Sequence, residues 1–205
     1  MVADVLVAPW AEPMPPPYSG RFFTAAALSA LPDDGWLHEL VMGRLVRMPP
    51  PKSRHGYLEA RLGSALYTYV EQQGLGRVYV GETGFDLTLP GEAVETVLGA
   101  DIAFVRAGRV SPDEFEDEDE PYFRGAPDLA VEVASPSQYR PEMNAKAWQW
   151  LHRGTHLVWV VWPTRREVDV WTPGQEVPLT LHTAEILDGR EVVPGFTYAI
   201  ADLFA

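Results

Sequence analysis

Pro127-Asp128-Leu129-Ala130-Val131-Glu132-Val133-Ala134-Ser135-Pro136 reads as a buried strand interrupted by one glutamate. An ionised carboxylate inside a core costs several kcal/mol unless a metal, a cation or strong donors compensate it. Strand alternation puts Ala130, Glu132 and Ala134 on one face and Leu129, Val131 and Val133 on the other, so only methyl groups flank the carboxylate. A partner has room beside it. Lys146 follows fourteen residues later, and the chain holds two lysines against fourteen arginines. The competing reading is an edge strand that turns Glu132 to solvent and an arginine.

A second acid occurs in matching context. Asp101, in Leu98-Gly99-Ala100-Asp101-Ile102-Ala103-Phe104-Val105, opens another apolar strand. Two such acids on neighbouring strands can meet at one ion. Asp128 is excluded from that pair: it precedes Glu132 by four residues on the same strand, and a rise of about 3.3 Å per residue separates them by roughly 13 Å. It reads as a strand-start residue.

With 205 residues, 46% of them hydrophobic, the chain can bury a sizeable core. Residues 1–20 read as an irregular, proline-rich arm and 21–205 as a single domain. No stretch approaches the roughly 20 apolar residues of a membrane span, and the N-terminus lacks a basic signal region, so a cytoplasmic protein is expected. The absence of cysteine excludes disulfides, thiolate metal sites and cysteine nucleophiles. A net charge of -13 argues against nonspecific tracking along nucleic acid. Much of that charge is local, because Asp113-Glu114-Phe115-Glu116-Asp117-Glu118-Asp119-Glu120 carries seven acids in eight residues and reads as a solvated loop.

The remaining pattern alternates strands with two long helices. A short helix is expected over 24–30 with Thr24 as N-cap, then a hairpin over 37–48 turning at Met42-Gly43. Tyr57, Leu58, Leu62, Leu66, Tyr69 and Val70 recur at helical spacing and predict a helix over 53–73. Strands follow at 77–80, 84–89 and 100–105. Pro141 suits the first turn of a second helix that Gly154 ends, and strands at 157–162 and 167–171 close the core. His152 and His156 have zinc-pair spacing, but Gly154 between them breaks the shared face. There is no phosphate-binding glycine fingerprint and no serine elbow. Trp148, Trp150, Trp159, Trp162 and Trp171 fall inside elements and are expected in the core.

An acid opening one strand, a glutamate on the next and a lysine nearby resemble the PD-(D/E)XK nuclease superfamily, and the chain is similar to its bacterial Uma-two branch of proposed endonucleases. The resemblance runs from His38-Glu39-Leu40 before the turn at Gly43, through His55 at the head of the long helix and Ala100-Asp101, to Pro127-Asp128-Leu129 and Glu132-Val133-Ala134-Ser135-Pro136-Ser137. It continues through Lys146, Gly154, Trp159-Val160-Val161, Val193-Pro194-Gly195-Phe196 and Asp202-Leu203-Phe204.

This resemblance implies an α/β fold: a mixed central sheet flanked by helices, of restriction-endonuclease type, with the N-terminal hairpin added. It implies a DNA endonuclease using Mg²⁺, or Mn²⁺ as substitute, held by Asp101 and Glu132 with the Val133 carbonyl as a third ligand. Ala134 stands where the superfamily motif has lysine, and Lys146 takes that role from the following helix. Glu39 matches a further family acid, either a metal ligand or a base partner. Arg54 and His55, at the start of the long helix, are candidates for phosphate contact. Trp162 departs from the family, many members of which carry aspartate there. A homodimer is expected only by analogy with enzymes that cut both strands. The alternative is a non-cleaving binding module that retains the fold.

Overall fold

A computed structural model describes residues 8–14, 18–111 and 120–205. The strands are β1 (Glu12–Pro13), β2 (Leu37–Val41), β3 (Arg44–Met48), β4 (Gly76–Asp86), β5 (Val97–Arg106), β6 (Phe123–Arg124), β7 (Leu129–Val133), β8 (Leu157–Trp162), β9 (Glu167–Trp171), β10 (Leu179–Leu181), β11 (Ile186–Asp188) and β12 (Thr197–Ala199). The helices are α1 (Ala25–Ser29), α2 (Ser53–Gln73), α3 (Arg140–His152) and α4 (Ile200–Leu203). The central sheet runs β1-β3-β2-β5-β7-β8-β9-β10, with β4 on the other side of β5 and β6 beside β4. It is mixed, since β7 and β8 are parallel whereas β5–β7 and β8–β9 are antiparallel. This is the expected α/β architecture.

One helix covers each face. Leu58, Leu62, Leu66 and Val70 of α2 pack with Ile102, Phe104, Leu129, Val131 and Trp159. On the opposite face Met143, Ala147 and Trp150 of α3 pack with Ala100, Ala103, Ala130, Ala134 and Val158. The alternation read from the sequence is therefore realised: β7 turns its alanines toward α3 and its branched residues toward α2. Every residue of β7 and β8 is buried, as continuous apolar runs between two helical layers require. Thr24 caps α1, and the left-handed Gly74 (φ 63) ends α2.

Three departures bear on the site. The stretch read as an irregular arm includes a two-residue strand, β1, paired with β3, and its Trp10 is buried. The segments expected at 77–80 and 84–89 form one strand, β4. It is interrupted between Val80 and Thr83, where Val80 pairs with Ile102 and Thr83 with Ala100. Gly81 and Glu82 therefore stand together opposite Asp101, a β-bulge, which increases local twist and re-aims side chains. Finally, β11, β12 and α4, which periodicity did not resolve, cover α2 through Leu187, Phe196, Ile200 and Leu203. Most of the acidic run, residues 113–119, lies outside the described residues, while Glu120 pairs with Arg124. No helix among the described residues is long and apolar enough to cross a membrane.

Candidate metal centre

The sheet forks at β5. One edge of β5 is paired with β4 along its length, whereas on the other edge β2 pairs only at Val97 and β7 only at Ile102 to Phe104. The backbone between these contacts has no strand partner on that side and is claimed by side chains. Gly99 donates its N–H to Glu39 (2.9 Å), and its carbonyl accepts from Lys146 (3.1 Å). Asp101 accepts the Val133 N–H at 2.5 Å, just past the last β5–β7 pair. A cleft of about 540 Å³ opens here, lined by Trp10, Arg54, Glu82, Asp101, Glu132 and Lys146 among others.

Toward α3, Lys146 bridges two carboxylates. Its ammonium lies 2.9 Å from Glu132 and 3.0 Å from Glu39, and all three side chains are buried. Each acid also accepts an indole N–H: Glu132 from Trp150 (2.7 Å) and Glu39 from Trp10 (2.9 Å). Burial alone would lower the pKa of Lys146, but Glu132, Glu39 and Glu82 hold it well above the ordinary lysine value. Burial pushes Glu132 up to about 7; Lys146 opposes this shift, while Asp101 and Glu39 add to it. With hydrogen bonds to Gly99 and Glu132 and an ion pair with Glu39, the ammonium is engaged by three partners within the protein.

Toward α2, Asp101 meets His55, with Nε2 2.8 Å from Oδ1. Glu59, one turn further along α2, accepts the Gly81 N–H at 2.7 Å. The bulge thus holds Glu59 through its first residue and aims its second, Glu82, at Asp101. Both bulge residues are left-handed, Gly81 at φ 76 and Glu82 at φ 60. The Glu82 carboxyl lies over Gly99, where a Cβ would come within 2.8 Å of Oε2, so a side chain at position 99 would displace it. Burial, then the charge of Asp101, raises the Glu82 pKa well above its ordinary value, and its carboxyl is hydrogen-bonded to Asp101. Burial opposes ionisation of Asp101, yet hydrogen bonds from His55 and Glu82 hold it below its ordinary value. For His55, burial favours the neutral ring, but Asp101 outweighs it and raises the pKa.

Asp101, Glu132, Lys146, Glu39 and His55 thus converge on one fork, together with Glu59 and Glu82, which the sequence reading did not name. Glu82 had one local signal: an acid beside glycine inside a strand pattern, where a bulge is favoured. Among the described residues, His55, Glu59 and Asp101 present one ligand atom each within 4.8 Å of one another. Val133 contributes its N–H to Asp101 and lines the cleft. Arg54 also lines it, with one guanidinium nitrogen on the Pro163 carbonyl (2.6 Å).

Asp128 lies at the other end of β7. It is fully buried and held by Arg106 (2.6 Å) and Arg109 (3.0 Å), the structural role expected of it. His152 stacks on Trp148 and His156 lies by Asp128, so the two share no site. Trp148 is exposed, unlike the other four tryptophans expected in the core. The Trp162 indole donates to Asp169 (2.7 Å).

The bulge makes one prediction about stability. Glycine accepts φ 60 without the steric penalty a side chain incurs there, and removing Glu82 also removes a carboxyl whose burial raises its pKa. Glu82→Gly is expected to stabilise the metal-free protein by about 1 kcal/mol in urea denaturation while weakening Mn²⁺ binding. A destabilised variant would show that Glu82 is held by favourable contacts instead of strain.

Comparison with known proteins agrees with this architecture. A crystal structure of a "putative nuclease belonging to DUF820" from Anabaena variabilis superposes with a TM-score of 0.73; it is 23% identical and the match covers 89% of this chain and 97% of that one. No curated protein matches the chain. The family model described as "Uma2: Putative restriction endonuclease" matches residues 25–201, and the chain belongs to that family.

Proposed function

We propose that this protein is a metal-dependent endonuclease that hydrolyses DNA phosphodiester bonds in the cytoplasm. One observation carries the proposal: five carboxyl groups, Glu39, Glu59, Glu82, Asp101 and Glu132, gather at one fork against one lysine and one histidine. The raised pKa of Glu82, beside Asp101, and a Glu132 pKa of about 7 mark the surplus of negative charge. A divalent cation relieves such a surplus, and the donor set of carboxylate oxygens suits Mg²⁺, with Mn²⁺ as substitute. Membership in a family described as restriction endonucleases supports the same reading.

Asp101 and Glu132 would hold the ion, with the Val133 carbonyl as a further oxygen donor. Bound there, such an ion supplies charge neutralisation at the attacked phosphate and a water of lowered pKa. Lys146 holds Glu132 and Glu39 in place and reaches the nucleophilic water by exchanging one of its three bonds, offsetting charge in the transition state. Glu39, tied to the same amine, fixes the lysine from the opposite side. The chain's other lysine, Lys52, lines the same cleft, beside Arg54 and His55. Lys52 and Arg54 would meet the DNA backbone in an otherwise acidic protein.

The test is nicking of supercoiled plasmid by purified protein. Cleavage is expected with Mg²⁺ or Mn²⁺ and absent in EDTA, and Glu132→Gln should abolish both cleavage and ion binding. The full engagement of Lys146 within the protein favours one other reading, a non-cleaving module that retains the nuclease fold. Metal-dependent binding of DNA without any nicking would establish that reading instead.

A further inference from the structure

We infer that His55 and Glu59 are metal ligands alongside Asp101, and that the imidazole makes this cleft select Mn²⁺ over Mg²⁺. The inference rests on the proposal that a divalent ion binds at Asp101. His55 and Glu59 sit one turn apart on α2 and so project from one helix face, toward the strand that carries Asp101. Their ligand atoms and that of Asp101 fall within 4.8 Å of one another, from two elements fixed by the core. Glu59 is oriented by the Gly81 N–H, the kind of outer hydrogen bond that sets a ligand's direction at metal sites. The bulge opposite Asp101 thus has a reason for its left-handed backbone, since regular pairing would leave no N–H directed at Glu59.

Selectivity follows from the donor types. Mg²⁺ is a hard ion that favours oxygen ligands and keeps much of its water, whereas Mn²⁺, a softer transition-metal ion, accepts an imidazole nitrogen more readily. An oxygen-only site at Asp101 and Glu132 would serve either ion, and a nitrogen donor at the same carboxylate shifts the balance.

Calorimetric titration of the native protein with Mn²⁺ and with Mg²⁺ should give at least a tenfold tighter Mn²⁺ affinity. His55→Gln keeps an N–H donor for Asp101 but offers the ion only oxygen; the Mn²⁺ to Mg²⁺ ratio should fall to within about threefold, while Mg²⁺ binding persists. Glu59→Gln should weaken both ions. Pulsed electron paramagnetic resonance of Mn²⁺ bound to the native protein should show ¹⁴N modulation from the imidazole, a readout independent of whether any variant folds. Absence of that modulation, or an unchanged ratio in folded His55→Gln, overturns the assignment of His55 and leaves the nuclease proposal standing. A native protein that binds neither ion overturns both.

Discussion

Asp101→Asn is expected to abolish the response of this protein to divalent metal. A ligand at one hundred times its Kd stabilises the folded state by about 2.7 kcal/mol, which for a domain of this size raises the melting temperature by roughly 5–10 °C. Saturating Mn²⁺ should produce a shift of that order in the native protein and almost none in Asp101→Asn. Asparagine still offers an oxygen to the Val133 N–H, and the lost attraction to His55 is offset by loss of the charge that helps to raise the Glu82 pKa. The metal-free melting temperature should therefore move little. Plasmid cleavage should fall by about two to three orders of magnitude, the scale on which one electrostatic contact to a transition state acts. Equal Mn²⁺ shifts in the two proteins would place the ion away from β5.

Asp101, Glu132 and Lys146 were legible in the sequence because each violates its local pattern. An acid in an apolar strand and a scarce amine fourteen residues later are conspicuous against alternation with a period of two. Helix α2 was legible to its ends, since its apolar residues recur at the helical period and Gly74 stops it. Glu59 and Glu82 were not, for different reasons. Glu59 lies on a mixed surface of α2 where a glutamate violates nothing, and its role depends on Gly81 from another element. Glu82 depends on a bulge, which split β4 into two apparent strands and concealed that Gly81 and Glu82 together oppose Asp101. The tryptophans misled in a similar way. Trp150 was expected to pack, and it does, but its indole also donates to Glu132; Trp10, in a segment read as irregular, does the same for Glu39. Hydropathy records the ring and is silent on the N–H. The fork itself arises from long-range pairing, β2 with β5 at one residue and β7 with β5 further along, which no local pattern encodes.

Lys146→Met should produce the largest loss of stability of any single change at the fork, and the loss should depend on pH. The substitution leaves Glu132 and Glu39 buried without the cation that lies 2.9 and 3.0 Å from them, and breaking a buried pair in this way costs about 3–5 kcal/mol. In the native protein Glu132 already has a folded pKa of about 7, above its ordinary 4.5, because burial outweighs Lys146. A carboxyl whose folded pKa is raised contributes stability below its unfolded pKa, and that contribution is lost as pH rises through the folded one. Without Lys146 to oppose burial, the folded pKa of Glu132 rises further. At pH 8 the variant must keep a proton on Glu132 that the unfolded chain readily releases, whereas near pH 5 folded Glu132 is protonated in the native protein as well and the two proteins differ little there. Urea denaturation without metal should therefore show nearly the full deficit at pH 8 and a much smaller one at pH 5. A deficit of equal size at both pH values would mean that the lysine stem's packing, and not its charge, supports the fork. The same melts with Mn²⁺ separate the two roles of the lysine. If an ion joins Asp101 and Glu132, it replaces part of the missing positive charge, and Mn²⁺ should stabilise Lys146→Met by at least as much as it stabilises the native protein while cleavage remains lost. A variant that Mn²⁺ leaves unchanged, alongside a native protein that it also leaves unchanged, would reduce Lys146 to the counter-ion of a metal-free core.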